Sequence, residues 1–166
     1  LNSDFITDNN IGCQGLQVNF TDITQNSPDT WLWNFGDGSM SNLQNPMHIY
    51  LNPGNFDVSL TTKKGDQCID TKINYGFIQI FENPHVQITA DSTYSCSVPF
   101  NVEFFDITPD AISWDWNFGN GINSLLSTAY YTYSNYGSYD FELIVKNSKG
   151  CSDTALFIDF IEVEEI

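Results

Sequence analysis

The chain contains no arginine and only five lysines against 21 acidic residues, for a formal net charge of −16 over 166 residues. Phosphate backbones and anionic lipid surfaces are gripped by clusters of basic side chains, so nucleic acid and an anionic membrane are excluded as partners. No apolar run approaches the roughly 18 residues of a spanning helix, so membrane insertion is not expected. Helical periodicity is missing as well. There is no close C-x-x-C pair with histidines nearby, the spacing that zinc requires. The two histidines, His48 and His85, lie far apart and in no Ser/His/Asp or Cys/His arrangement, which leaves nucleophilic catalysis without a candidate. The acids follow no EF-hand spacing; only Asp8 and Asp91, on N-terminal loops, suggest a place to look for calcium. No other cofactor is expected.

What the chain does have is repetition. Cys13, Trp31, Trp33, Phe35, Gly36, Gly38, Tyr50, Gly54, Cys68 and Asp70 each find the same residue type 83 positions on, ending with Cys151 and Asp153. Two domains, 1–83 and 84–166, follow. Scaffold residues recur, whereas the reactive-looking ones do not: Asp37 becomes Asn120 and His48 becomes Tyr131. A module used in series is expected, not a catalyst.

Alternation with period two runs through both copies. Leu16, Val18 and Phe20 oppose Gln17, Asn19 and Thr21; Tyr139, Phe141, Leu143 and Val145 oppose Asp140 and Glu142. One apolar and one wet face per strand predicts antiparallel sheets packed as a sandwich. Turn signals at Gly36-Asp37-Gly38, Asn120-Gly121 and Pro53-Gly54 separate about seven strands per repeat, giving an all-β fold of two immunoglobulin-like sandwiches. Trp33 and Trp116 take the place of the central core tryptophan. Tyr139 takes the place of the tyrosine corner, with its hydroxyl on upstream backbone, and Phe56 only packs. Asp37 is read as a turn acceptor, a role that Asn120 can share. Trp31 and Trp114, two residues nearer the strand start, are the positions for a ligand contact.

The cysteines are 55 residues apart in both copies, Cys13 to Cys68 and Cys96 to Cys151. Free buried thiols are one reading; equal spacing favours a disulfide within each repeat, and so an oxidising compartment. Closing such a loop contributes roughly 4 kcal/mol on the chain-entropy estimate. It would also shield the enclosed loop from extension under load.

The segment WLWNFGDGSMSNLQNPMHIYLNPGNFDVSLTT resembles the PKD domain, an immunoglobulin-like module marked by W-x-F-G-D-G, H-x-Y and G-x-Y-x-V-x-L. WDWNFGNGINSLLSTAYYTYSNYGSYDFELIV is a weaker match, with Asn120 and Tyr131 in place of the aspartate and histidine. The resemblance implies a structural role for His48. The cysteine pair and Gly150–Thr154 look like PKD repeats of Bacteroidota surface proteins, including gliding adhesins and other type IX secretion cargo. That implies an extracellular, cell-surface or secreted location.

The chain opens at Leu1 with no leader-like segment and stops in strand-like sequence, so a piece of a longer secreted protein is expected. A short junction containing Pro84 predicts a preferred angle between the sandwiches and a stiff stalk. The expected function is a non-enzymatic structural or adhesion module whose neighbours are further repeats of the same chain. The alternative is an accessory module that binds polysaccharide or another protein.

Overall fold

The structure, a computed structural model, describes residues 1–119 and 121–165. It divides into two units, Leu1–Glu82 and Asn83–Ile166. Among the described residues there are strands and no helix, in the all-β architecture that the alternation dictates.

The first unit contains β1 (Phe5–Thr7), β2 (Ile11–Cys13), β3 (Leu16–Asp22), β4 (Thr30–Asn34), β5 (Met40–Ser41), β6 (Met47–Tyr50), β7 (Gly54–Lys64) and β8 (Cys68–Phe81). One sheet has the order β1-β3-β6 and the other β2-β8-β7-β4-β5. Val18, Phe20 and Tyr50 from the small sheet meet Trp33, Val58, Leu60 and Ile78 from the large one in a single buried cluster. These are the inward members of the alternating pairs, so the sequence pattern and the packing coincide.

The second unit repeats the plan. Its strands are β9 (Ile88–Ala90), β10 (Tyr94–Ser95), β11 (Phe100–Asp106), β12 (Ala111–Asn117), β13 (Asn123–Ser124), β14 (Thr128–Tyr133), β15 (Gly137–Asn147) and β16 (Ser152–Val163). The sheets have the orders β14-β11-β9 and β10-β16-β15-β12-β13. Among the described residues each unit therefore has eight strands, against the roughly seven that the turn signals indicate. The extra one is the short β2 or β10, which runs parallel to the last strand and is too brief to show a period in the sequence.

Each sandwich has an entry end and an exit end. Ser3 donates its N–H to Asp70 (2.6 Å), and Val86 donates its own to Asp153 (3.2 Å), which puts both chain entries at the start of the last strand. The chain leaves each sandwich at the other end of that strand, at Phe81 in one and Val163 in the other.

This polarity overturns the disulfides expected within each repeat. Cys13 stands opposite Phe81 at the exit end, whereas Cys68 begins β8 at the entry end. Fourteen residues of strand place them roughly 40–45 Å apart, and a bridge tolerates a Cα separation of about 7 Å at most. In the second unit Cys96 follows Ser95, which faces Val163, and Cys151 precedes Ser152 at the far end of β16. Neither Cys13–Cys68 nor Cys96–Cys151 is a bond. Cys13 and Cys151 are disulfide-bonded, while Cys68 and Cys96 carry free, exposed thiols. With the pairing goes the expectation that a bridge shields the loop inside each repeat.

Candidate functional site

The residues that looked most reactive in sequence are held by structural partners. Asp37 ends the β4–β5 turn chemistry: its Oδ1 accepts the Ser39 N–H (2.9 Å), and its Oδ2 lies 2.7 Å from His48 Nε2. His48 in turn lies flat on Phe35, with ring centroids 4.3 Å apart and planes 4° off parallel. Burial opposes the Asp37 charge, but the hydrogen bonds from His48 and Ser39 outweigh it and hold the carboxyl below its ordinary range. Gly36, just before it, admits no side chain: a Cβ there would come within 2.4 Å of the Asp57 carbonyl oxygen.

The two asymmetries between the copies are therefore one. Asp37 and His48 are partners in repeat one, and both change together in repeat two, to Asn120 and Tyr131. Tyr131 keeps the stacking part of the arrangement, 4.7 Å from Phe118 and 19° off parallel. Asn120 lies outside the described residues.

Trp33 and Trp116 are fully buried, and each indole N–H reaches a loop carbonyl, Leu43 and Leu126, at 2.9 Å. Trp31 and Trp114 are half-buried and packed against the edges of the two cores. Their indoles donate to carboxylates, Trp31 to Asp22 (2.7 Å) and Trp114 to Asp106 (2.6 Å). The same carboxylates cap a turn by accepting N–H groups from Thr24 and Thr108. Burial works against the Asp22 charge, yet the bonds from Thr24, Trp31 and Gln44 hold its carboxyl below the usual range.

Sequence reasoning missed this clamp because the repeat slips by one residue there. Asp22 and Asp106 are 84 apart, as are β3 and β11 throughout; Phe5 faces Asp22 just as Ile88 faces Asp106. Searching at 83 hides the match.

Asp8 and Asp91 also brace strands. Asp8 accepts both the backbone and side-chain N–H groups of Asn19 (2.9 and 2.6 Å), and Asp91 accepts the Glu103 N–H (3.0 Å). Among the described residues, no three His, Cys, Asp or Glu side chains converge as metal ligands would. Tyr139 donates to the Asn135 carbonyl (2.7 Å) and Phe56 packs on Tyr50, the two halves of the tyrosine-corner reading.

A family model for the PKD domain matches residues 3–76 and again 81–160. The chain belongs to the PKD domain family. The crystal structure of the PKD1 domain of the Vibrio cholerae metalloprotease PrtV is 27% identical, covering 49% of this chain and 98% of its own, with a TM-score of 0.41. The PKD1 domain of Vibrio anguillarum Epp is 24% identical over 51% of this chain and 96% of its own, with the same TM-score. Three N-terminal domains of the bacteriophage RB49 outer capsid protein Hoc are 12% identical over 98% of this chain and 59% of theirs, with a TM-score of 0.41. PKD domains are extracellular structural or binding modules and are generally non-catalytic. In the first PKD repeat Asp37 and His48, and in both repeats the tryptophans, hold turns and strands in place.

A groove of about 420 Å³ in repeat one is lined by Trp31, Leu32, Asn42, Thr61 and Lys63. Trp31 lies there with Asp29 and Lys63, the two charged residues of the lining.

Proposed function

We propose that the chain is a load-bearing segment of an extracellular surface protein, an adhesin or gliding-type filament built from successive PKD repeats. The observation that carries this is the strand polarity within each sandwich. The chain enters at one end and leaves at the other, and the early strand β2 runs parallel to the last strand β8. Tension applied through the two chain ends loads that ladder in shear. Its bonds, Gln79 N–H to Asn10 and Gln14 N–H to Phe81 (2.8 and 3.0 Å), must then break together and not one by one. The second repeat has the same parallel pair, with Glu162 N–H on Thr93 and Glu164 N–H on Ser95, both at 2.9 Å.

The same proposal assigns the parent protein to the Bacteroidota surface proteins exported by the type IX route. The resemblance of the cysteine positions and of Gly150–Thr154 to those repeats supports it, as does an oxidised cysteine pair in an extracellular module.

Single-molecule pulling under reducing conditions tests the mechanical reading. Each repeat should give one event lengthening the chain by roughly 250 Å, since a residue extends about 3.3–3.6 Å. Gln14→Pro removes a ladder donor and should lower the unfolding force of repeat one more than Leu60→Ala, which hollows the core. Equal losses from the two would remove the support for load-bearing.

A second reading rests on the Trp31 groove: an accessory module presenting polysaccharide or a protein segment. A glycan array read with wild type and Trp31→Ala tests it. Binding that Trp31→Ala abolishes would favour this reading, and no binding would count against it.

A further inference from the structure

The outer faces of the two small sheets differ where their scaffolds agree. In repeat one the β3–β6 register sets Gln17 opposite Ile49 and Asn19 opposite Met47. In repeat two the β11–β14 register sets Asn101 opposite Thr132 and Glu103 opposite Tyr130. The backbone beneath is the same. Asp8 donates its N–H to the Asn19 carbonyl and Asp91 donates its own to that of Glu103. Each aspartate accepts the N–H of the residue it faces on Oδ1, at 2.9 and 3.0 Å.

The side chains on that backbone part company. Asn19 turns its amide N–H to Asp8 Oδ2 (2.6 Å) and so satisfies the carboxylate from within the chain. Glu103 has no such N–H to give and sets a second carboxylate beside Asp91. Among the described residues, Asp91 Oδ2 and Glu103 Oε2 accept no hydrogen bond, and neither acid has an ion-pair partner. Like charges at facing positions destabilise a sheet, and the internal donor that relieves this in repeat one is gone.

An open aromatic ring stands next to the pair. Tyr130 is 71% exposed, and its hydroxyl donates to Glu103 Oε1, which fixes the ring beside the carboxylates. Further along the same face Thr132 donates to Asn101 Oδ1 (2.7 Å), leaving the exposed Asn101 amide with its N–H groups to offer. These side chains line a groove of about 320 Å³, enough for a small polar ligand.

We propose that this groove binds a sugar chain bearing free amines, a glycan of hexosamine units. The ammonium reaches Asp91 and Glu103 and supplies the donor that Asn19 supplies in repeat one. The apolar face of the sugar covers the Tyr130 ring, and the cation gains from the ring's negative face. Asn101 and Thr132 meet the hydroxyls. A lysine side chain would satisfy the acids and the ring but leave that polar pair unused. A calcium ion wants six or more oxygen ligands and gains nothing from an aromatic ring. Because the groove is on repeat two, it stands apart from the Trp31 reading and from load-bearing.

Isothermal titration calorimetry of the 166-residue chain with a glucosamine oligosaccharide tests this, at about pH 5.5 so that the carboxylates are ionised, with EDTA and physiological salt present. The oligomer should bind, and its N-acetylated form at least about tenfold more weakly, since a charge-assisted hydrogen bond is lost. Glu103→Asn rebuilds the internal bond of repeat one, so the variant should keep its melting temperature while binding falls by the same factor. Glu103→Gln, which removes the charge alone, and Tyr130→Ala should weaken binding as well. Trp31→Ala should leave it unchanged. No binding of the oligomer, equal binding of the acetylated form, affinity retained in the Glu103 variants, or loss in Trp31→Ala would each overturn the proposal. So would oligolysine binding as tightly with the same dependence on Glu103, which would give the groove to a lysine-bearing protein instead.

Discussion

Tyr50 and Tyr133 occupy matching positions, yet only one hydroxyl is satisfied. Tyr50 donates to the Phe35 carbonyl (3.1 Å), whereas the buried Tyr133 hydroxyl has no hydrogen-bond partner among the described residues. An unpaired buried hydroxyl costs free energy that a phenyl ring does not. Tyr50→Phe should therefore destabilise repeat one by about 1 kcal/mol, and Tyr133→Phe should be neutral or stabilising. Denaturant titration of the two variants checks the sign. The Asp37–His48 contact gives a pH signature. Because the Asp37 carboxyl is depressed when folded, its stabilisation is in place above the ordinary carboxylate range and is lost as pH falls through the lowered value. Asp37→Asn should thus weaken the protein at pH 7 and cease to matter well below about pH 4. In a double-mutant cycle, Asp37→Asn with His48→Tyr should recover part of either single loss, with a coupling of about 0.2–1 kcal/mol at this partly exposed site. The turn role of Asp37 was legible in its two flanking glycines. Its tie to His48 was not, because a contact between a turn residue and a strand residue 11 positions on leaves no period to read.

Among the elements, the bulges show how the two copies solve one problem differently. In β7 the register shifts between Phe56 and Val58, and Asp57 accepts the Gly76 N–H (2.6 Å); in β15 it shifts between Tyr139 and Phe141, and Asp140 accepts the Asp159 N–H (2.7 Å). Both donors sit in the left-handed region, Gly76 at φ 54° and Asp159 at φ 49°. Glycine enters that region freely and an L-residue at a cost, so Asp159→Gly should raise the stability of repeat two by about 0.5–1 kcal/mol. A fall in thermal midpoint would count against it. Strand faces were readable from alternation because a buried face leaves a period of two. The Asp22–Trp31 and Asp106–Trp114 clamps were not, since the spacing between partners is nine residues in one copy and eight in the other. What the copies share there is a contact, and a fixed interval cannot register it.

For the whole molecule, the cysteines carry the clearest correction. Equal spacing suggested pairs within repeats, but repetition makes every recurrent spacing equal and so says nothing about which residues bond. What decides is where each cysteine falls along β8 or β16, and that needs the register. A thiol titration of the folded, unreduced chain should find two reactive groups, Cys68 and Cys96, and four after reduction and unfolding. A count of zero before reduction would restore the pairing within repeats. The net charge of −16 sets a second expectation: with no arginine and few lysines, self-repulsion is screened by salt, so the melting temperature should rise from low to physiological ionic strength.

The scarcity of basic residues has an analytical consequence. An endoprotease that cuts only after lysine finds five addresses in the chain, and they fall so that Cys13, Cys68, Cys96 and Cys151 each land in a different fragment. One digestion without reductant therefore reads out the entire sulfur connectivity of the chain.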